Sequence, residues 1–216
     1  GNPRDFRDAS LASRNPERSG TKIVRCAQIR KELRMKVPVY VGTSVDGFIA
    51  REDGGIDWLN EANACVPEGE DCGFQAFMDG VDVLVMGRKT FEQVLSFGQW
   101  PYGETPVVVL SHKAISFPPH VPATVSHSSE PLPNLLSRLQ GEGAEHLYVD
   151  GGTTIHGFLA ENLVDEITVT AVPVALGSGI PLFGLLRDSL KLSHVRTRAY
   201  EFGFVQTTYA VERAGQ

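Results

Sequence analysis

Two short stretches of this chain join glycine to the polar groups that hold phosphate. Gly87-Arg88-Lys89-Thr90 follows an apolar run at residues 81–86 and precedes residues spaced as a helix. A helix start offers unpaired backbone N–H groups and a partial positive charge. Here Arg88 and Lys89 add full charge and Thr90 a hydroxyl. The same residues would equally serve an ordinary capped helix with solvated bases. This is not a Walker A loop, because GxxxxGK[ST] is not satisfied. Asp150-Gly151-Gly152-Thr153 also sits between strand and helix signals. Paired glycines let a backbone approach a diphosphate closely, or simply make a tight turn. A third polar break, Ser111-His112-Lys113, follows another buried run and taken singly reads best as a solvated loop. All three fall at strand ends of what would be one sheet, where open α/β sheets bind ligands. One dinucleotide would bridge them, although GxGxxG is absent.

Other candidates are less specific. Gly42-Thr43-Ser44-Val45-Asp46-Gly47 misses the GxSxG pattern of a nucleophile elbow, which leaves a serine hydrolase little support. Asp46 is either a polar turn residue or a pocket carboxylate. Glu70 and Asp71 suit an exposed helix start, or a reach to a substrate ring. Cys26, Cys65 and Cys72 form no CxxC, and the six histidines form no HExxH or Cys/His cluster, so the sequence implies no metal. Sparse, odd cysteines suit reduced thiols and a cytoplasmic setting.

The elements that must position these groups alternate. Residues 37–41 are β-branched and apolar, and 48–50 follow a Ser-Val-Asp-Gly turn. Helical spacing predicts helices over 72–79, 90–96, 132–139 and 153–161. Buried strands are expected at 81–86, 106–111, 121–125, 146–149 and 166–172, the last stopped by Pro173. Residues 190–198 and 204–211 read as a terminal hairpin turning at Gly203. Alternation implies parallel strands with crossover helices, and the hairpin adds an antiparallel edge. The expected fold is a three-layer α/β/α mixed sheet.

Composition divides the chain in two. Twenty Lys+Arg and 26 Asp+Glu give a net charge of −6, which disfavours a nucleic-acid binder relying on bulk charge. Residues 1–34 carry nine bases and four acids, +5; the remaining 11 and 22 give residues 35–216 a charge of −11. We expect a basic N-terminal extension over 1–34, docked or partly disordered and without a catalytic role, and one domain over 35–216. No apolar run reaches the roughly 18 residues of a membrane span.

The ordered set of motifs resembles the dihydrofolate-reductase-like superfamily. In particular it is similar to the branch holding the reductase domain of riboflavin-biosynthesis deaminase-reductases and its short stand-alone relatives. The resemblance rests on Thr43 to Ala50, Ile56-Asp57-Trp58-Leu59, Val85 to Glu92, Tyr148-Val149-Asp150-Gly151-Gly152, Leu163 to Ile167, Pro173 to Gly179 and Leu182-Phe183. It implies NADPH as cofactor, hydride transfer and, often, a homodimer. Carried over by position, Gly87, Arg88, Lys89 and Thr90 would meet cofactor phosphates. Ser111 and His112 would lie near the adenosine 2′-phosphate, and Gly151, Gly152, Thr153 and Thr154 near the diphosphate. Ser44, Phe48, Trp58, Glu70 and Asp71 would lie on the substrate side, with the loop from Asp46 to Trp58 over the nicotinamide. Phe48 stands where riboflavin reductases usually carry Lys or Arg. The expected activity is reduction of a small heterocycle or carbonyl compound, with Asp46 as first proton donor and Asp150 as second. The riboflavin-pathway reductase and a non-catalytic nucleotide binder are the alternatives.

Overall fold

The computed structural model describes residues 34–184, 186 and 188–212. The expected extension lies outside them, Arg34 excepted. Apolar β-branched runs form β1 (Pro38–Ser44), β3 (Val83–Gly87), β4 (Val107–Leu110), β6 (Leu147–Asp150) and β7 (Glu166–Val172). With β5 (Val125–Ser128) and the hairpin β9 (Leu192–Ala199) and β10 (Val205–Val211), they make an eight-stranded sheet ordered β5-β4-β3-β6-β1-β7-β10-β9. Pairing from β5 to β7 is parallel, and β10 runs antiparallel to both neighbours. A separate two-stranded sheet pairs β2 (Phe48–Ala50) with β8 (Ile180–Pro181).

Alternation within β3 shows why the sheet is covered on both faces. Val83 and Val85 enter one buried cluster, with Val149, Leu135, Ile155 and Phe158. Leu84 and Met86 enter another, with Phe91, Val107 and Tyr148. The helices supplying these partners are α3 (Arg88–Leu95), α4 (Leu132–Gly141) and α5 (Gly152–Ala160). Each fully buried Val or Leu contributes roughly 1.5–3 kcal/mol of transfer free energy. Two further helices, α1 (Asp57–Asn63) and α2 (Phe74–Met78), lie between β2 and β3.

Three elements depart from the sequence reading. The strand expected at 121–125 begins only at Val125. Before it, the Val121 and Val125 amides donate to the carbonyls of Pro118 and Pro122, so this proline-rich stretch forms turns. The helix expected from residue 72 starts at Phe74, because Cys72 and Gly73 have φ of 56° and 83°. The helix expected from Thr90 starts two residues earlier, placing Arg88 and Lys89 in its first turn. Helix α1 and strand β8 carried no sequence expectation.

Candidate active site

The site grows from two adjacent strands. β3 and β6 are parallel neighbours with Met86 opposite Asp150, so the chain leaves both strands at one level. Gly87 then starts α3 and Gly151 starts α5, and neither helix has a side-chain cap. The two turns lock together. A Cβ on Gly87 would lie 2.9 Å from Thr154 Oγ1, and a Cβ on Gly151 would collide with Thr90 Oγ1. Gly151 also has a φ of 87°, where a side chain is strained. Glycine at both positions therefore lets two bare helix starts stand side by side. Their first-turn N–H groups and the positive ends of the two helix dipoles form a candidate anion cradle.

Both starts open into one cavity of about 1130 Å³. The sheet order sets its layout. Leu110 and Ser111 line it at the end of β4, and Gly87 to Thr90 at the end of β3. Asp150 to Thr154 follow at the end of β6, and Tyr40, Val41 and Gly42 come from β1. Among the described lining residues the cations are Arg88 and Lys89, both at the α3 start. Arg88 is partly engaged by Glu92, one turn on, at 3.2 Å. The connection from β2 to α1 forms another wall. Arg51 pairs with Asp57 through two bonds of 2.7 and 2.8 Å, and Gln93 of α3 donates to the Gly54 carbonyl at 3.2 Å.

Asp150 is the cavity's chemically distinctive acid. Burial pushes its carboxyl up to about 6, against the pull of the Gly151 N–H at 2.7 Å and the Tyr102 hydroxyl. Asp150 is half-buried and lines the cavity. Tyr148, two residues earlier on the same strand face, donates its hydroxyl to the Tyr40 carbonyl at 2.9 Å. Burial raises both the Tyr148 and Tyr102 phenols, so both stay protonated. A carboxyl poised near neutrality beside an anion cradle can hand over a proton where a bound anionic ligand reacts.

Asp46 is placed differently from its expected role. It does not line the cavity. Its carboxylate accepts Ser44 Oγ at 2.6 Å, the Gly177 N–H at 2.7 Å and the Leu176 N–H at 3.1 Å. These bonds, Ser44 first, hold it down at about 2, so it is ionised at neutral pH and ties the turn after β1 to the loop after β7. Ser44 shares that fastening and also caps the Phe48 N–H at 3.0 Å. Other expected substrate-side residues also lie outside the lining. Phe48 pairs in the small sheet. Trp58 is buried with Val172, Tyr200 and Phe204. Glu70 accepts the Cys72 N–H at 2.7 Å and pairs with Arg198 at 3.1 Å, while Asp71 accepts the Gly73 and Gln75 N–H groups at the start of α2. His112 is exposed beside Ser111 and does not line the cavity.

Three lining tyrosines were not among the expected site residues. Tyr148 was legible, because strand alternation puts it on the face of Asp150. Tyr40 lies on β1, where its hydroxyl donates to the Cys72 carbonyl at 2.5 Å and accepts Gln206 Nε2 at 2.7 Å. Tyr102 sits in a loop with no local signal.

Comparisons with known proteins agree with this architecture. The family model described as the RibD C-terminal domain matches residues 35–205. YwjB of Bacillus subtilis (strain 168), an uncharacterised protein, is 34% identical over 171 residues, 78% of this chain and 94% of its own. The crystal structure of a provisionally assigned riboflavin biosynthesis protein from Shewanella sp. PV-4 is 40% identical. It covers 83% of this chain and 100% of its own, with a TM-score of 0.77. Dihydrofolate reductase from Enterococcus faecalis is 18% identical, covers 82% of this chain and 97% of its own, and has a TM-score of 0.54, a likeness of fold. The two interlocked glycine turns thus sit on a dihydrofolate-reductase-like sheet, and the chain belongs to the RibD C-terminal domain family.

Proposed function

We propose that this protein is an NADPH-dependent reductase of a small, flat heterocycle or carbonyl compound. One observation carries the reading: a single cavity holds both the anion cradle and a carboxyl whose hold on its proton burial strengthens. NADPH would supply the hydride. Thr90, Gly152, Thr153 and Thr154 would hold its diphosphate through the helix starts, with Arg88 and Lys89 adding charge. Ser111, on the β4 side, would lie toward the 2′-phosphate. That arrangement leaves the β1 side, with Tyr40, Gly42 and Leu59, for the ring that is reduced. An acceptor that gains a hydride also needs a proton, and Asp150 replaces Asp46 as its source. Asp150 is then reprotonated from solvent.

The second reading is 5-amino-6-(5-phosphoribosylamino)uracil reduction, favoured by family membership. Phe48, which replaces the usual base and pairs in the small sheet, weighs against a phosphorylated substrate. The test is NADPH oxidation against pterins, pyrimidines, quinones and that phosphoribosyl compound, alongside dissociation constants for NADPH and NADH. We expect tighter NADPH binding and turnover of at least one unphosphorylated ring compound. Equal affinities for the two nucleotides with no oxidation would overturn the reading. Turnover of the phosphoribosyl compound alone would select the second.

A further inference from the structure

One face of α5 grips the small sheet at two points. At its first turn, Ile49 of β2 and Ile180 of β8 close over Gly152. A Cβ there would lie 2.8 Å from Ile49 Cδ1 and 3.0 Å from Ile180 Cγ2. Both isoleucines line the cavity, so they wall the α5 start. One turn on, at i+4 and therefore on the same face, stands His156. Its Nε2 lies 2.9 Å from the Pro181 carbonyl oxygen and 3.1 Å from that of Leu182. Carbonyls only accept, so Nε2 carries the hydrogen and donates to both. Gly184 packs on the same ring, where a Cβ would lie 2.7 Å from Nδ1. Residues 181–184 thus wrap the imidazole where the chain leaves β8. The clasp reaches further. The Leu182 amide donates to the Gly47 carbonyl at 2.9 Å, and the Leu182 side chain is buried with Ile155 and Phe158 of α5. β8 in turn pairs with β2, Ala50 opposite Ile180. Ile180 directly precedes the two fastened carbonyls, so holding them fixes where its side chain stands.

We propose that His156 is a positioning residue for the cofactor: by clasping the end of β8 it keeps Ile180, and through β2 Ile49, seated over the α5 start. The proposal rests on the diphosphate of NADPH lying at that start. A fixed apolar wall there keeps water from competing with the N–H groups, which strengthens their hold on an anion. A wall set in advance also spares the ordering cost that a loose one would add on binding. Neither effect moves a proton, so His156 acts on nucleotide retention and not on the chemical step.

The experiment compares the wild-type full chain with His156→Ala, His156→Gln, Ile180→Ala and the double variant His156→Ala/Ile180→Ala. A glutamine Nε2 is as many bonds from the backbone as that of histidine, so it keeps the donor. Hydrogen exchange without nucleotide reads the clasp, and stopped-flow displacement of NADPH reads its consequence. We expect His156→Ala to speed exchange of the Leu182 amide by about tenfold and NADPH dissociation by about fivefold. His156→Gln should restore most of both. Ile180→Ala should speed NADPH dissociation by a similar factor with His156 intact. The double variant should be little worse than either single one, because both act through one wall. Unchanged Leu182 exchange in His156→Ala would overturn the clasp. Faster exchange with unchanged NADPH dissociation, or strictly additive single effects, would leave a structural tie and overturn the positioning role. Failure of the wild type to bind NADPH would overturn the proposed cofactor and that role with it, while Leu182 exchange would still decide the clasp.

Discussion

Asp150→Asn is expected to stabilise the protein at high pH while disabling it. Asp150 binds its proton more tightly when folded, at about 6 against 3.8 for a free side chain. A group of that kind favours the folded state fully below the lower value. Its contribution falls away as pH rises through the upper one. The shift is about two units, so ionised Asp150 costs the native state roughly 3 kcal/mol above pH ~7. Asn carries no charge, and its amide oxygen still accepts from Gly151. Its NH₂ group needs a new partner at the cavity wall, which offsets part of the gain. The net expectation is about 1–3 kcal/mol of added stability at pH 8, shrinking to zero or reversing near pH 4. For a chain of this length that is an increase in Tm of roughly 2–12 °C. Urea denaturation of both proteins at pH 4, 6 and 8 reads the difference directly. A stability difference that is the same at all three pH values would refute the burial argument for Asp150. Turnover should drop by about 10²-fold or more.

Arg88→Ala should weaken NADPH and NADH alike by about fivefold, since both carry the diphosphate, measured by fluorescence titration. The usual 1.5–3 kcal/mol for a charged hydrogen bond is discounted to about 1 kcal/mol because Arg88 is part-exposed and shared with Glu92. Gly151→Ala should lower Tm sharply and abolish nucleotide binding, since both its φ and Thr90 exclude a side chain. Adding Thr90→Ala should recover part of the Tm, and no recovery would refute the interlock. Asp46→Asn should leave the pH profile of kcat in place but lower Tm at neutral pH. Asp46's folded value is depressed, so its contribution is present above pH ~4 and lost as pH falls toward 2. An equal Tm deficit at pH 7 and pH 2 would refute its role as an ionised fastener.

Local patterning alone determined the class of fold and the two turns. Runs such as Val107-Val108-Val109-Leu110 can only be buried on both faces, and alternation with helical spacing then forces a parallel sheet. Gly87 and Gly151 mark where those strands stop, because a strand-to-helix turn that brings backbone close to backbone needs glycine. The acids could not be sorted in the same way. Asp46, Glu70, Asp71 and Asp150 each stand beside a turn, and nothing local tells a fastener from a proton donor. Their roles depend on groups distant in sequence. Leu176 and Gly177 meet Asp46 across 130 and 131 residues, and Arg198 meets Glu70 across 128. A carboxyl's charge state follows from how much water is removed and which donors replace it, and both are set by the chain around it. Sequence periodicity therefore specified where the cavity lies, and only the tertiary burial of the β6 end decided which acid inside it holds its proton up to about pH 6.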